Sequence, residues 1–206
     1  MMNIQTLKAR SLNIFEHPKT NTKSKFNHND QKQTREAFVE LISSQPNKYC
    51  LTISYIKDTT DINANRALNL FIHFLNQKVL TRNYKNSILF IDGFVARERT
   101  KSGTLHYHLV FNENNAVLPE YDEFYDLVFT CMNKIKVNHK STRRITDDKG
   151  WDLQEYFNNG DSDFEKYITK NFECSAFNAI EAFNSIGVIS YDKVEFGADP
   201  RRHDYH

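Results

Sequence analysis

Between Ser87 and Phe111 lie two extended runs, Ser87 to Arg97 and Thr104 to Phe111, and Lys101-Ser102-Gly103 between them suits a short hairpin loop. A hairpin joins antiparallel neighbours, so a chain built on this pair must form an antiparallel sheet and cover its apolar face. The remaining pattern supplies further strands and that cover. Tyr49 to Ile56 alternates Cys50, Thr52, Ser54 with Leu51, Ile53, Tyr55 and reads as a strand, and Ile186 to Tyr191 reads as a last one.

Four segments have helical spacing. Ala37, Phe38, Leu41 and Ile42 form one face over Gln33 to Ser43. Asp61 is placed to cap a helix whose stripe is Ala64, Ala67, Leu68, Phe71, Leu75 and Val79. Pro119, at a first-turn position, opens a helix carrying Phe124, Leu127, Val128, Cys131 and Ile135. Ser162 with Glu165 makes a capping box for a helix from Asp163 to about Phe172, with Phe164, Ile168 and Phe172 on its apolar side. Helices interspersed with a hairpin and single strands give an α+β expectation: a central antiparallel sheet with helices packed on it.

The 206 residues, 39% hydrophobic and 13% aromatic, suffice for one cored domain. No stretch approaches the ~18 apolar residues of a membrane helix. No secretory leader is visible at the N-terminus, so the expectation is a cytoplasmic protein with no membrane partner. Cys50, Cys131 and Cys174 are far apart and form no CxxC pair, which argues against a disulfide framework or a cysteine zinc site.

The net charge of +1 conceals an asymmetry. Residues 1–35 hold seven Lys or Arg against Glu16 and Asp30, a local +5 that leaves −4 for the rest. Residues 1–32, polar and basic, read as a mobile arm, residues 33–198 as the domain, and 199–206 as a polar tail. The arm is equally a phosphate-seeking tether and a plain solvated tail.

The chemistry concentrates on the second hairpin strand. His106 and His108, two apart, project from one face while Leu105, Tyr107 and Leu109 project from the other. With a three-residue loop, Thr100 pairs with Thr104, which sets Glu98 opposite His106 and small Ala96 opposite His108. Two imidazoles and a carboxylate with open positions suit a catalytic divalent ion, Mn²⁺ or Mg²⁺. Read blandly, the same pair is a polar stripe on a solvent-facing strand.

Thr104-Leu-His-Tyr-His-Leu-Val-Phe111 resembles the histidine, bulky residue, histidine motif of the HUH endonucleases. Leu51-Thr-Ile-Ser-Tyr55 resembles that family's first strand motif, and Tyr167-Ile-Thr-Lys170 resembles the tyrosine motif of its rolling-circle replication initiators. The likeness covers roughly Tyr49 to Phe172; Tyr107 stands where an aliphatic residue is usual, and Asn171 stands where a second tyrosine would be.

The resemblance implies a ferredoxin-like nuclease fold and site-specific nicking and joining of single-stranded DNA. His106, His108 and Glu98 would hold the metal, Tyr167 would form a 5′-phosphotyrosine and release a 3′-hydroxyl, and Lys170 would assist. A free phenol is only about one part in a thousand phenolate at neutral pH, so the attack needs help. The resemblance further implies single-stranded or hairpin origin DNA of a plasmid or phage as substrate, in a bacterial host cell whose helicase and polymerase act as partners. No P-loop occurs in the chain.

Arg97, Arg99 and Lys101 near the hairpin tip, with Lys134, Lys136, Lys140, Arg143 and Arg144, are the candidate phosphate contacts. Other readings stay open: a transposase or relaxase of the same superfamily, a non-catalytic nucleic-acid-binding module, or an oxygenase using His106, His108 and Glu113. Tyr156 is the rival nucleophile.

Overall fold

The structure, a computed structural model, describes residues 28–57, 59–86, 89–100, 103–135, 150–157, 163–172, 185–190 and 193–196. The arm before residue 28, Lys101, Ser102, Lys136, Lys140, Arg143, Arg144, Ser162, Cys174 and the polar tail lie outside these residues.

The chain runs α1 (His28–Ser43), β1 (Asn47–Ser54), α2 (Asp61–Leu80), the short α3 (Arg82–Lys85), β2 (Asp92–Arg99), β3 (Leu105–Asn112), α4 (Tyr121–Met132) and β4 (Trp151–Glu155). There follow α5 (Asp163–Ile168), a 3-10 turn (Lys170–Phe172), β5 (Ile186–Ser190) and β6 (Lys193–Phe196). The six strands form one sheet in the order β4-β1-β3-β2-β5-β6, every neighbouring pair antiparallel. The fold class is therefore α+β, as the hairpin and helix pattern required. With α2 and α4 as crossovers, β1 to β4 make the βαββαβ arrangement of a ferredoxin-like unit, and the β5–β6 hairpin extends it past β2.

The sheet has two unequal faces. Leu51 and Ile53 of β1, Tyr107 and Leu109 of β3, and Val95 of β2 pack with Leu68, Phe71 and Leu75 of α2 and Phe124 and Val128 of α4 in the main core. Each large buried side chain there contributes about 1.5–3 kcal/mol. On the other face Cys50, Val110, Phe94 and Ala96 meet Ile42 of α1 and Ile168 of α5 in a smaller cluster. Along β1, β3 and β2 that second face turns polar toward the hairpin loop, passing through Thr52, His108 and then Ser54, His106, Glu98.

Several local expectations shift. The N-cap of α2 is Thr60, whose hydroxyl accepts from the Asn63 N–H at 3.3 Å; Asp61 is the first helical residue. Glu120 occupies the N-cap position of α4, so Pro119 precedes the helix rather than opening its first turn. β2 starts at Asp92, opposite the last residue of β3, Asn112, because pairing ends there. α1 begins at His28, inside the segment assigned to the arm.

The helix expected to reach Phe172 breaks after Ile168. There the Thr169 hydroxyl donates to the Glu165 carbonyl at 2.7 Å, and local side-chain bonding of this kind competes with the helix. The loop and strand edge expected over 134–149 falls almost wholly outside the described residues, while β4 at Trp151–Glu155 and β6 are strands that the sequence pattern did not mark. Among the described residues no helix is long and apolar enough to cross a membrane.

Candidate functional site

Strand pairing decides what the two histidines meet. Toward β2, Glu98 lies opposite His106 and Ala96 opposite His108, the register that the three-residue loop implies. Toward β1, Ser54 lies opposite His106 and Thr52 opposite His108. The loop itself closes when the Thr100 N–H donates to the Thr104 carbonyl at 2.8 Å. Gly103, at φ 85°, takes the left-handed conformation that a glycine adopts without strain.

The buried His108 ring spans the gap between its neighbouring strands. Its Nδ1 is 3.1 Å from Thr52 Oγ1 and its Nε2 is 3.2 Å from Glu98 Oε2. Glu98 thus reaches diagonally to His108 rather than straight across. His106 Nδ1 is 3.5 Å from Ser54 Oγ, and the two imidazole centres are 6.4 Å apart.

The tyrosine segment meets this strand face. Lys170 Nζ is 2.7 Å from Glu98 Oε2 and 3.8 Å from the centre of the Tyr167 ring. Tyr167 in turn packs edge-to-face on His108, with centres 5.0 Å apart, and stays 45% exposed. Thr52, His108, Glu98, Lys170 and Tyr167 therefore form one connected set drawn from β1, β3, β2 and the α5 segment. Tyr167 lies in α5 and Lys170 in the 3-10 turn, so the break at Thr169 falls between them.

Two further residues hold that segment in place. The Asn171 amide donates to the Arg97 carbonyl at 3.2 Å and to Ser185 Oγ at 3.1 Å, pinning the turn to β2 and the start of β5. From α1, the Arg35 guanidinium donates to Thr169 Oγ1 at 3.2 Å and to the Lys166 carbonyl at 3.0 Å. Sequence reading missed both, since nothing local marks such distant partners. Thr52 and Ser54 did carry a signal, because their alternation in β1 put them on one face.

The charges in the set support one another. Burial lowers the His108 pKa and outweighs the opposing pull of Glu98, so the ring favours its neutral form. Burial pushes the Glu98 carboxyl up, yet the Lys170 ammonium and His108 more than offset it, and its pKa is lowered. Lys170 is penalised by burial, but hydrogen bonds to Glu98 and Tyr167 prevail and its pKa is raised.

The basic residues are placed differently. Arg97 and Arg99 have the opposite parity to Glu98 and point across the sheet, where both pair with Asp61 at the start of α2. Arg97 also stacks over the Phe196 ring at 5.2 Å. Lys134, just past α4, lies over Phe74 of α2 at 5.4 Å, on the main-core side as well. The structure does not bring these three to the histidines, and Lys101, Lys136, Lys140, Arg143 and Arg144 fall outside the described residues.

Two rival assignments meet obstacles. Among the described residues the buried Tyr156 hydroxyl has no hydrogen-bond partner, and its ring lies against Phe164 in the smaller core. Glu113 lies past the other end of β3, five residues or about 17 Å of strand from His108, and accepts from Lys48 at 3.2 Å and the Leu118 N–H at 2.8 Å.

Among the described residues no three His, Cys, Asp or Glu side chains form a closed metal-binding group. By donor chemistry, however, His106, His108 and Glu98 suit a divalent ion: one face, two imidazole nitrogens, one ionised carboxylate, and a hydroxyl behind each ring. Compared with known proteins, the chain matches no family model, no curated protein and no solved structure.

Proposed function

We propose that this chain nicks and rejoins single-stranded DNA through a covalent 5′-phosphotyrosine at Tyr167, acting as a rolling-circle replication initiator. The observation that carries the reading is the contact set itself. An exposed phenol, a lysine, a carboxylate and a buried histidine come together although Tyr167 and Lys170 are distant in sequence from the hairpin.

Tyr167 Oη is the nucleophile: a bond forms from it to phosphorus, the bond from phosphorus to the 3′ oxygen breaks, and that oxygen leaves as a hydroxyl. The phenol loses one proton and the leaving oxygen gains one, so the exchange is proton-neutral. Lys170, beside the ring, offsets negative charge on the attacking oxygen and on the phosphate. Edge-to-face packing on His108 orients the phenol, and Asn171 and Arg35 fix the segment that presents it.

His106, His108 and Glu98 are the residues that would hold a Mn²⁺ or Mg²⁺ ion, which when bound supplies Lewis-acid polarisation of a phosphate oxygen. Because the phosphotyrosine conserves the broken phosphodiester's energy, a free 3′-hydroxyl can reverse the step with no nucleotide cofactor.

The decisive experiment incubates the protein with end-labelled single-stranded oligonucleotides and Mn²⁺ and looks for a labelled species that survives denaturing electrophoresis. The expected result is an adduct that Tyr167→Phe abolishes and that His106→Ala with His108→Ala reduces by at least about a hundredfold. An adduct of unchanged yield in Tyr167→Phe would overturn the nucleophile assignment.

A further inference from the structure

A neutral imidazole carries a single N–H, so a ring held between two partners cannot donate to both. His108 is such a ring, with Thr52 Oγ1 at 3.1 Å from Nδ1 and Glu98 Oε2 at 3.2 Å from Nε2. An ionised carboxylate only accepts, so in the arrangement described Nε2 carries the hydrogen and donates to Glu98. Nδ1 is then a bare lone pair, and the Thr52 hydroxyl must donate to it. If His108 is to offer Nε2 to a cation that Glu98 shares, the hydrogen has to sit on Nδ1 instead, and Thr52 must become the acceptor.

We infer that Thr52 is a positioning residue that serves both tautomers of His108, its hydroxyl donating to Nδ1 before a divalent cation binds and accepting from Nδ1–H afterwards. The inference rests on the ion site proposed above. Proton count is unchanged by the switch: the ring gives its Nε2 hydrogen to water and takes one back at Nδ1, while the threonine hydroxyl rotates. A hydroxyl both donates and accepts strongly at a single atom, and strand pairing fixes this one directly opposite His108. A valine of nearly the same shape fills the space but does neither. Ser54 stands in the same relation to His106 at the longer distance of 3.5 Å.

The test uses the full chain labelled with ¹⁵N-histidine, whose long-range ¹H–¹⁵N spectra separate the two tautomers, titrated with Mg²⁺ as a diamagnetic probe. Wild type should show His108 as Nε2–H without the ion and as Nδ1–H with it. Thr52→Ser should keep this change. Thr52→Val should bind Mg²⁺ about 10- to 100-fold more weakly, because its Nδ1–H form leaves a buried donor unsatisfied. Matching melting curves for the two variants would show that packing is not the cause.

Thr52→Val binding Mg²⁺ as tightly as wild type, or His108 already Nδ1–H in the ion-free protein, would overturn the inference and leave the proposed nicking reaction standing. A wild-type spectrum in which neither imidazole responds to saturating Mg²⁺ or Mn²⁺ would reject the ion site and the inference together. A missing tyrosine adduct beside an intact tautomer change would reject the nuclease reading alone.

Discussion

Lys170 is the hinge between the two halves of the site, since its ammonium touches the Glu98 carboxylate and the Tyr167 ring at once. Its side chain is 34% exposed and that of Glu98 23% exposed, so solvent screens the pair and its share of stability is small, about 1 kcal/mol or less. The larger consequence concerns protonation. With its pKa lowered by Lys170 and His108 against the opposing effect of burial, Glu98 adds stability that is fully present above its ordinary value of 4.5. That contribution is lost as the pH falls through the lower folded value. Lys170→Met removes the strongest of those partners, so burial raises the Glu98 carboxyl and the acid-sensitive contribution shrinks. Melting temperatures taken from pH 7 down to pH 3 should therefore fall less steeply in Lys170→Met than in wild type, while adduct formation drops by about tenfold or more. Parallel acid profiles in the two proteins would mean that Lys170 does not hold this carboxylate in solution.

The hairpin that presents the histidines depends on close backbone approach at its far end. Gly93 on β2 has φ 156°, and a Cβ there would lie 1.9 Å from the Val110 carbonyl oxygen of β3. No side-chain rotation relieves a clash with backbone, so Gly93→Ala should cost about 3 kcal/mol or more, read as a lowered urea midpoint. Gly103 in the loop also has positive φ, at 85°, but a Cβ there would meet nothing within 4 Å. Gly103→Ala should cost only the conformational strain, about 1 kcal/mol. Equal losses at the two positions would contradict this account. The difference between these glycines also marks what the sequence could disclose. The loop and its register are local, so spacing alone set Glu98 opposite His106, and the stripe of α2 was equally plain. β4 and β6 are five and four residues long with one or two inward side chains, and edge strands that short take their ladder from distant partners. For the same reason Asn171 was not legible: its bond to Arg97 joins residues 74 apart, and no periodicity records it.

At the scale of the molecule the two ends of the central hairpin titrate in opposite senses. Asp92 opens β2, six residues or about 20 Å of strand from Glu98, where the Asn115 amide donates to it at 2.9 Å. Burial pushes its carboxyl up to about 6, against the lowering effect of its hydrogen bonds, Asn114 and Asn115 among them. A carboxyl whose folded value exceeds its unfolded value of 3.8 favours the fold while protonated, so its contribution is present at low pH and lost as the pH rises from about 4 to about 6. Glu98 gains stability as the pH rises toward 4.5, so the two carboxyls contribute slopes of opposite sign. Asp92→Asn deletes one of them at the end of β2 away from the histidines. It should stabilise the protein at pH 7 by about 1 kcal/mol, a figure reduced for the partial exposure of Asp92. Across pH 4 to 6 it should also make stability rise more steeply than in wild type, because the opposing Asp92 slope is gone. Denaturant titrations at pH 4, 5, 6 and 7 on both proteins read this directly, and a variant less stable than wild type at pH 7 would show that ionised Asp92 supports the fold instead of opposing it.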